Sequence, residues 1–456
     1  MKVPKSVFRE YDVRGIVERE LTPAFAEALG RAFGSLVATM IGRAPVIAVG
    51  RDNRPSGSAL AAAARRGIVA SGGTAIDIGM VPTPALYFAV GALDADAGLQ
   101  VTGSHNPPEF NGFKMVAAGE AIHGERILEL WEMIELEAWR TGRGSERNDG
   151  SILARYREAI IARHHLSRPV DVVVDCGNGV GSLVAVSTLE ALGCEVVPLF
   201  CDSDGTFPNH HPDPTVPENL RDLQAAVRRT GAELGIAFDG DADRIGAVDE
   251  EGRVLFGDQL LIIFGRDAVR RFGPGVPVIF DVKCSDLLPR ALAEAGARPE
   301  MWKTGHSLIK ERMRELAAPL AGEMSGHMFF GGDWFGFDDA LFAAARLLEV
   351  VAAGPRGLAR LLADLPVTHT TPEIRVDCAD DRKFDVVARA ARHFAARYPV
   401  NTIDGVRMTF PHGWGLVRAS NTQPILVLRF EAADPAALQA YRAEVLEWLA
   451  GEGVHA

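Results

Sequence analysis

Hydrophobic and polar positions alternate along this chain in a rhythm that occurs three times. Residues 46–50 (V-I-A-V-G) form a short apolar run. A polar loop follows, then an alanine-rich stretch over 58–70 with helical character, then Gly72-Gly73 and T-A-I-D-I. Residues 170–175 (V-D-V-V-V-D) lead into C-G-N-G-V-G, a helical stretch ending at Gly193, and E-V-V-P-L. Residues 277–281 (P-V-I-F-D) lead into V-K-C-S-D, a helical stretch ending near Gly296, and a second short run. Each copy predicts strand, loop, helix, glycine cap and strand. The glycines fall where a helix must turn left-handed to stop. Strands alternating with helices imply sheets whose faces the helices cover.

The last stretch breaks the rhythm. Residues 372–377, 407–410, 415–418 and 425–431 read as strands, and 381–397 and 435–449 as helices. The expected fold class is therefore α/β: three tandem similar α/β domains with mixed sheets flanked by helices, plus a smaller C-terminal α+β domain with a mostly antiparallel sheet. The expected boundaries are 1–150, 151–252, 253–365 and 366–456. The polar run over 141–150 (T-G-R-G-S-E-R-N-D-G) reads as the linker after the first domain.

Composition narrows the partners. The chain has 456 residues, enough for three or four domains, with 47% hydrophobic and 24% charged residues. A net charge of −12 argues against nucleic acid or an acidic membrane as partner, and any anionic substrate needs a local positive site. Cys176, Cys194, Cys201, Cys284 and Cys378 are odd in number with no C-x-x-C, which suits reduced thiols rather than a disulfide framework or zinc. The N-terminal residues lack the apolar core of a signal peptide, and no run of about 18 apolar residues occurs. A cytoplasmic address is expected, and a monomer is compatible with the sequence.

Four constellations carry candidate chemistry. Residues 101–115 read V-T-G-S-H-N-P-P-E-F-N-G-F-K-M. Ser104 sits at a strand exit, Pro107 and Pro108 stiffen the loop, and Gly103 permits close backbone approach. A serine so placed can be a nucleophile or a phosphate carrier. A rigid turn accounts for the stretch equally well on its own, and no G-x-S-x-G elbow surrounds it. Residues 238–246 read F-D-G-D-A-D-R-I-G. Asp239, Asp241 and Asp243 repel one another unless a cation sits among them, and oxygen-only ligands suit a hard ion such as Mg²⁺, with a solvated acidic turn as the plain alternative. Glu250 falls at position 12 of an EF-hand count, but Arg244 stands where that loop needs glycine and a strand precedes it.

Residues 322–330 read G-E-M-S-G-H-M-F-F, in which Glu323, Ser325 and His327 can grip sugar hydroxyls, though a structural loop fits as well. Residues 418–424 read R-A-S-N-T-Q-P between two strands, where Arg418, Ser420, Asn421 and Thr422 can cradle a phosphate, or merely form a polar hairpin turn. Arg429 follows on the next strand. Tyr11, Arg14, Lys114, Lys283 and His306 are single polar residues that alone carry little. C-G-N-G-V-G resembles a dinucleotide loop but has Ser182 where the third glycine belongs.

Taken together and in this order, T-G-S-H-N-P, D-G-D-A-D-R, G-E-M-S-G-H and R-A-S-N-T resemble the phosphoserine, metal, sugar and phosphate loops of the α-D-phosphohexomutases, over nearly the whole chain. The sugar loop is similar to that of the bacterial phosphomannomutase/phosphoglucomutase type; the phosphoglucosamine type usually has glutamine at the place of Met324. The resemblance implies three related α/β domains and a smaller fourth around a central cleft. It implies that Ser104 is phosphorylated in the active enzyme, and that its phosphate, Asp239, Asp241 and Asp243 hold one Mg²⁺. Glu323, Ser325 and His327 would then bind the hexose. Arg418, Ser420, Asn421 and Thr422, helped by Arg429, would bind the phosphate that is not reacting. Tyr11, Arg14, Arg244, Lys283 and His306 would line the cleft.

The implied reaction is the reversible interconversion of hexose 1-phosphate and hexose 6-phosphate, of mannose, glucose or both. Phosphoserine gives its group to the sugar, the resulting 1,6-bisphosphate turns end for end, and the other phosphate returns to Ser104. Glucose 1,6-bisphosphate or an equivalent would serve as activator. Lys114, His105 and His306 are candidates for general acid and base, with Arg244 beside them in the catalytic set. Two other readings use the same residues: a Mg²⁺-dependent sugar phosphatase with water as acceptor, and a sugar-phosphate binding protein that never turns its ligand over.

Overall fold

A computed structural model describes residues 3–421 and 423–455. The strand Val46–Arg51 lies between Thr74–Met80 and Ala97–Val101, parallel to both. Its central residues are buried, as strands covered on both faces require. Phe110–Ala117 then runs antiparallel to Ala97–Val101, and Val13–Ile16 closes that edge. The second sheet repeats this plan: Asp171–Asp175 lies parallel to Glu195–Leu199 and Leu234–Phe238, and Ile245–Asp249 is antiparallel to the latter. In the third, Pro277–Asp281 lies parallel to Arg298–Trp302 and Leu320–Gly322, with Met328–Phe330 antiparallel to the last. Among the described residues the three sheets have seven, five and four strands, and each parallel run passes into an antiparallel hairpin.

Those hairpins carry the motifs. The loop between Ala97–Val101 and Phe110–Ala117 holds Ser104, that between Leu234–Phe238 and Ile245–Asp249 holds the three aspartates, and that between Leu320–Gly322 and Met328–Phe330 holds Glu323 to His327. The fourth sheet is antiparallel among its central strands, and the hairpin between Gly413–Ala419 and Ile425–Ala432 holds the arginine loop. Thr422 lies outside the described residues.

One difference from the expectation concerns residues 141–150. They are not simply a linker: Ser145–Asn148 adds a parallel edge strand to Thr74–Met80. All four of its residues are exposed, so it has no apolar alternation for a sequence reading to find. The helix Ile152–Ile161 follows and buries Ile152, Tyr156 and Ile160 at four-residue spacing.

The core is distributed unevenly. One continuous apolar cluster runs from Ile76 and Tyr87 beside the first sheet through Val172 and Phe238 to Phe280 and Phe342. The C-terminal domain has its own cluster, built on Phe394, Met408, Phe410 and Phe430. It meets the third domain through a small contact of Val282 with Trp414 and Leu416. The helix Pro23–Ile41 is long and apolar enough by composition to cross a membrane, but it packs most of its surface inside the first domain.

Candidate active site

The serine loop is fixed from below. Ser104 has φ +49°, a left-handed backbone that a non-glycine residue holds only when its surroundings compel it. The compelling group is Arg54, buried at 1% exposure. Its guanidinium donates to the carbonyls of Ser104 (2.8 Å), Asn106 (2.5 Å), Pro107 (2.6 Å) and Phe110 (3.0 Å), and its charge is met by Asp52 at 3.1 Å. A Cβ on Gly103 would stand 2.5 Å from that guanidinium, which is why glycine precedes the serine. Arg54 was not singled out from the sequence. Only its place in R-D-N-R-P, directly after a predicted strand, signals it.

Ser104 Oγ donates to Asp239 Oδ2 at 3.0 Å and lies 3.1 Å from His105 Nδ1. Asp239 Oδ1 accepts from the backbone N–H of Asp243 and Arg244 at 3.0 and 3.1 Å. Asp241 Oδ2 accepts from Thr83 Oγ1 (2.6 Å), Thr102 Oγ1 (3.1 Å) and Lys114 Nζ (2.9 Å), and Lys114 also donates to Asp243. All three carboxylates are wholly buried, with ligand oxygens within 4.8 Å of one another. Asp241 Oδ1 and Asp243 Oδ1 meet no protein donor despite that burial. Burial, and then the charges of Asp243 and Asp241, push the Asp239 carboxyl well above the usual carboxylate range. The loop is short of positive charge and has free hard oxygens, and a divalent cation supplies the one and uses the other.

The two imidazoles lie beyond the acidic loop. His327 Nε2 accepts from Arg244 Nε at 2.9 Å, while its Nδ1 lies 3.2 Å from Asp338 Oδ2. Asp338 also accepts from Lys310 Nζ at 2.9 Å and lies 3.9 Å from His306 Nδ1. Burial, then the positive charge of Lys310, holds the His306 ring well below its ordinary pKa. Burial, then Arg244, does the same for His105. Glu323 Oε1 accepts from Gly305 N at 2.6 Å, and its Oε2 from Ser325 Oγ at 3.2 Å, so the sugar-loop hydroxyl and carboxylate face one cleft.

At the far end, Arg418 Nε donates to Asp404 Oδ2 at 3.2 Å, and the same carboxylate oxygen accepts from Thr304 N at 3.0 Å. Asn421 Nδ2 donates to Tyr11 OH at 2.9 Å, and Tyr11 OH donates to Thr304 O at 3.0 Å. Arg14 Nη1 donates to Asn106 Oδ1 at 3.1 Å. Lys283 Nζ lies 3.4 Å from Glu373 Oε2. Arg429 lines the same cleft, and its Nη1 donates to Asp258 Oδ2 at 3.3 Å and to the Lys283 carbonyl, which braces the Lys283 segment against the C-terminal sheet.

The four loops face one cleft of about 870 Å³. Ser104, His105, Lys114, Arg244, Lys283, His306, Glu323, Ser325, His327, Arg418, Ser420, Asn421, Arg429, Tyr11 and Arg14 all line it, and the three aspartates lie beneath its floor. Asp338, Asp404 and Thr83 hold these residues from behind the lining: Asp338 faces His327 and Lys310, Asp404 accepts from Arg418, and Thr83 donates to Asp241.

Comparison with known proteins gives one consistent picture. Residues 5–140, 154–252 and 256–369 match the phosphoglucomutase/phosphomannomutase alpha/beta/alpha domains I, II and III, and residues 373–447 match the C-terminal domain of the same family. A phosphomannomutase/phosphoglucomutase of Pseudomonas aeruginosa is 49% identical over 432 residues, covering 94% of this chain and 92% of that protein. A phosphoglucomutase of Neisseria gonorrhoeae is 44% identical over 445 residues, 96% of this chain and 95% of that one. The crystal structure of a phosphoglucomutase/phosphomannomutase family protein from Burkholderia thailandensis superposes with a TM-score of 0.90 at 45% identity, covering 97% of this chain and 96% of the other.

Proposed function

The chain belongs to the phosphoglucomutase/phosphomannomutase family, and from that premise we propose that it interconverts the 1- and 6-phosphates of glucose and mannose. The observation that carries this reading is the convergence of four hairpin loops on one cleft, with a buried serine at one end and an arginine loop at the other. Ser104 carries a phosphoryl group and hands it to the sugar hydroxyl nearest to it. Asp239, Asp241 and Asp243, with the phosphoserine oxygens, are the residues to hold one Mg²⁺, which when bound offsets the negative charge that gathers as the serine oxygen leaves.

The side chains divide the remaining work. His105, 3.1 Å from Ser104 Oγ, is the group placed to move a proton at the serine oxygen. Lys114 and Arg244 bring positive charge to the transferring group. Glu323, Ser325 and His327 grip the hexose hydroxyls, and Arg418, Ser420, Asn421 and Thr422 take the distal phosphate. That arrangement suits either end of a 1,6-bisphosphate, so the intermediate can turn over and return its other phosphate to Ser104. Glucose 1,6-bisphosphate, as activator, recharges a serine that has lost its group. Domain limits at 1–150, 151–252, 253–365 and 366–456 belong to the same proposal and are supported by four separate sheets, as does a cytoplasmic address, which suits five free thiols.

The test is phosphorus NMR of the protein with Mg²⁺, a trace of glucose 1,6-bisphosphate and either glucose 1-phosphate or mannose 1-phosphate. Both 6-phosphates are expected to appear. Inorganic phosphate as the product would make the protein a phosphatase, and no change with either sugar would make it a binding protein or a mutase for another hexose.

A further inference from the structure

The motif C-G-N-G-V-G takes no part in the chemistry above, yet its first residue has a close partner. Cys176 Sγ and Cys201 Sγ are 3.2 Å apart. Cys176 follows the strand Asp171–Asp175, and Cys201 lies two residues beyond the strand Glu195–Leu199, its parallel neighbour. Cys176 N donates to Leu199 O at 3.1 Å, so the strand ends stay paired at this point. The register Asp175↔Leu199 sets Cys201 one residue beyond the position opposite Cys176, and the left-handed turn at Phe200 (φ +50°) lies between. The sulfurs need to close by only about an ångström to bond. Cys201 is half-buried and can be reached from solvent, while Cys176 is fully buried behind it.

The position of the pair gives it consequences. Gly179 N donates to Cys176 O at 2.7 Å, and Val180 N donates to Gly240 O at 3.0 Å, so this turn is the backing of the acidic loop. Gly240 in turn lies so near the serine loop that a Cβ on it would stand 2.4 Å from Ser104 O. Asn53, beside Arg54, donates to Asn178 O at 2.7 Å from the other side. A shift of Cys176 is therefore passed to Asp239 and Asp241 on one path and to the Arg54 clamp on the other.

We propose that Cys176 and Cys201 form a modification site for hydroperoxides, closing a reversible disulfide that misplaces the acidic loop and lowers turnover. The Cys201 thiolate attacks one peroxide oxygen and the O–O bond breaks, leaving a sulfenic acid on Cys201 and an alcohol, or water from hydrogen peroxide. Cys176 then attacks the Cys201 sulfur and the S–O bond breaks. The departing hydroxide takes up the Cys176 proton as water. Two thiols are oxidised and one peroxide is reduced, and a small dithiol restores both thiols by exchange.

The bond does not depend on the function proposed above, whereas the loss of turnover does, so the experiment reads them separately. The reduced full-length protein is treated with hydrogen peroxide, alkylated and peptide-mapped, and mutase activity is followed in parallel. A peptide cross-linked through Cys176 and Cys201 is expected, with activity falling about tenfold, a size in keeping with sub-ångström misplacement of catalytic groups, and returning with dithiothreitol. Cys201→Ser keeps its activity under peroxide and forms no cross-link, and Cys194→Ser behaves like the parent. Absence of the cross-link, a cross-link without loss of activity, or equal inactivation of Cys201→Ser would each overturn the proposal. A reduced protein without mutase activity would instead overturn the function, and the peptide map would still decide the bond.

Discussion

At the serine end of the cleft Ser104, Asp239, Asp241 and Asp243 are each at most 2% exposed, and Arg54 alone ties four carbonyls of the serine loop in place. At the arginine end the loop belongs to a domain with a separate apolar core, joined to the third domain by Trp414 and Leu416 on Val282 and by polar bridges such as Ser285 to Glu431 at 2.9 Å. The first end is tied down within its own loops, whereas the second sits on a domain with its own core and a small apolar joint to its neighbour. Phosphoryl transfer needs the former, because charge must be met in a fixed geometry. Turning a bisphosphate end for end needs the latter, because the distal phosphate must be released and gripped again.

If that contrast is right, damage at the two ends differs in kind. Ser104→Ala is expected to lower turnover about a thousandfold or more while sugar phosphate still binds, read by a coupled assay and by calorimetry. Near-parental turnover would end the phosphoserine account. Asp241→Asn is expected to lower kcat about a hundredfold and to raise the Mg²⁺ needed for half-activity, with KM for the sugar little changed. Arg418→Ala is expected to raise KM ten- to a hundredfold, about the worth of a charge-assisted contact pair, with kcat held within about threefold. A variant at the arginine end that lost kcat and kept KM would erase the distinction between the ends.

The smallest effect tests the joint between the domains. Burial alone would raise the Glu373 carboxyl, but Lys283, then Arg375, holds it down at about 2. A carboxyl depressed in the folded protein contributes stability that is present above its unfolded value and lost as pH falls toward the folded one. Between about pH 5 and pH 3 the parent should therefore lose about 1 kcal/mol more stability than Glu373→Gln. Equal acid sensitivity in denaturant titrations would remove Glu373 and Lys283 from the joint.

The sequence made the hairpins easy to find, for a physical reason. A strand that ends in glycine, proline and polar residues announces its own loop, so the serine, aspartate and sugar loops and the C-terminal strands could be read from local pattern. What escaped depends on distance. Arg54 in a polar loop reads as a solvated charge, and only the fold brings the serine loop over it. Asp338 and Asp404 are unremarkable until His327 and Arg418 arrive against them. Ser145–Asn148 forms a strand through pairing with Thr74–Met80 alone, with no buried face to mark it. Arg429 lines the cleft and also donates to Lys283 O and Asp258, partners that only the fold brings to it.

The most direct test of the central claim is a single turnover of the phosphorylated, unlabelled enzyme with glucose 1-phosphate labelled in its phosphorus. The account predicts that the label ends on Ser104, found by peptide mapping, and that the glucose 6-phosphate formed carries the enzyme's former, unlabelled phosphoryl group. Label passing straight into glucose 6-phosphate, with none on Ser104, would contradict it.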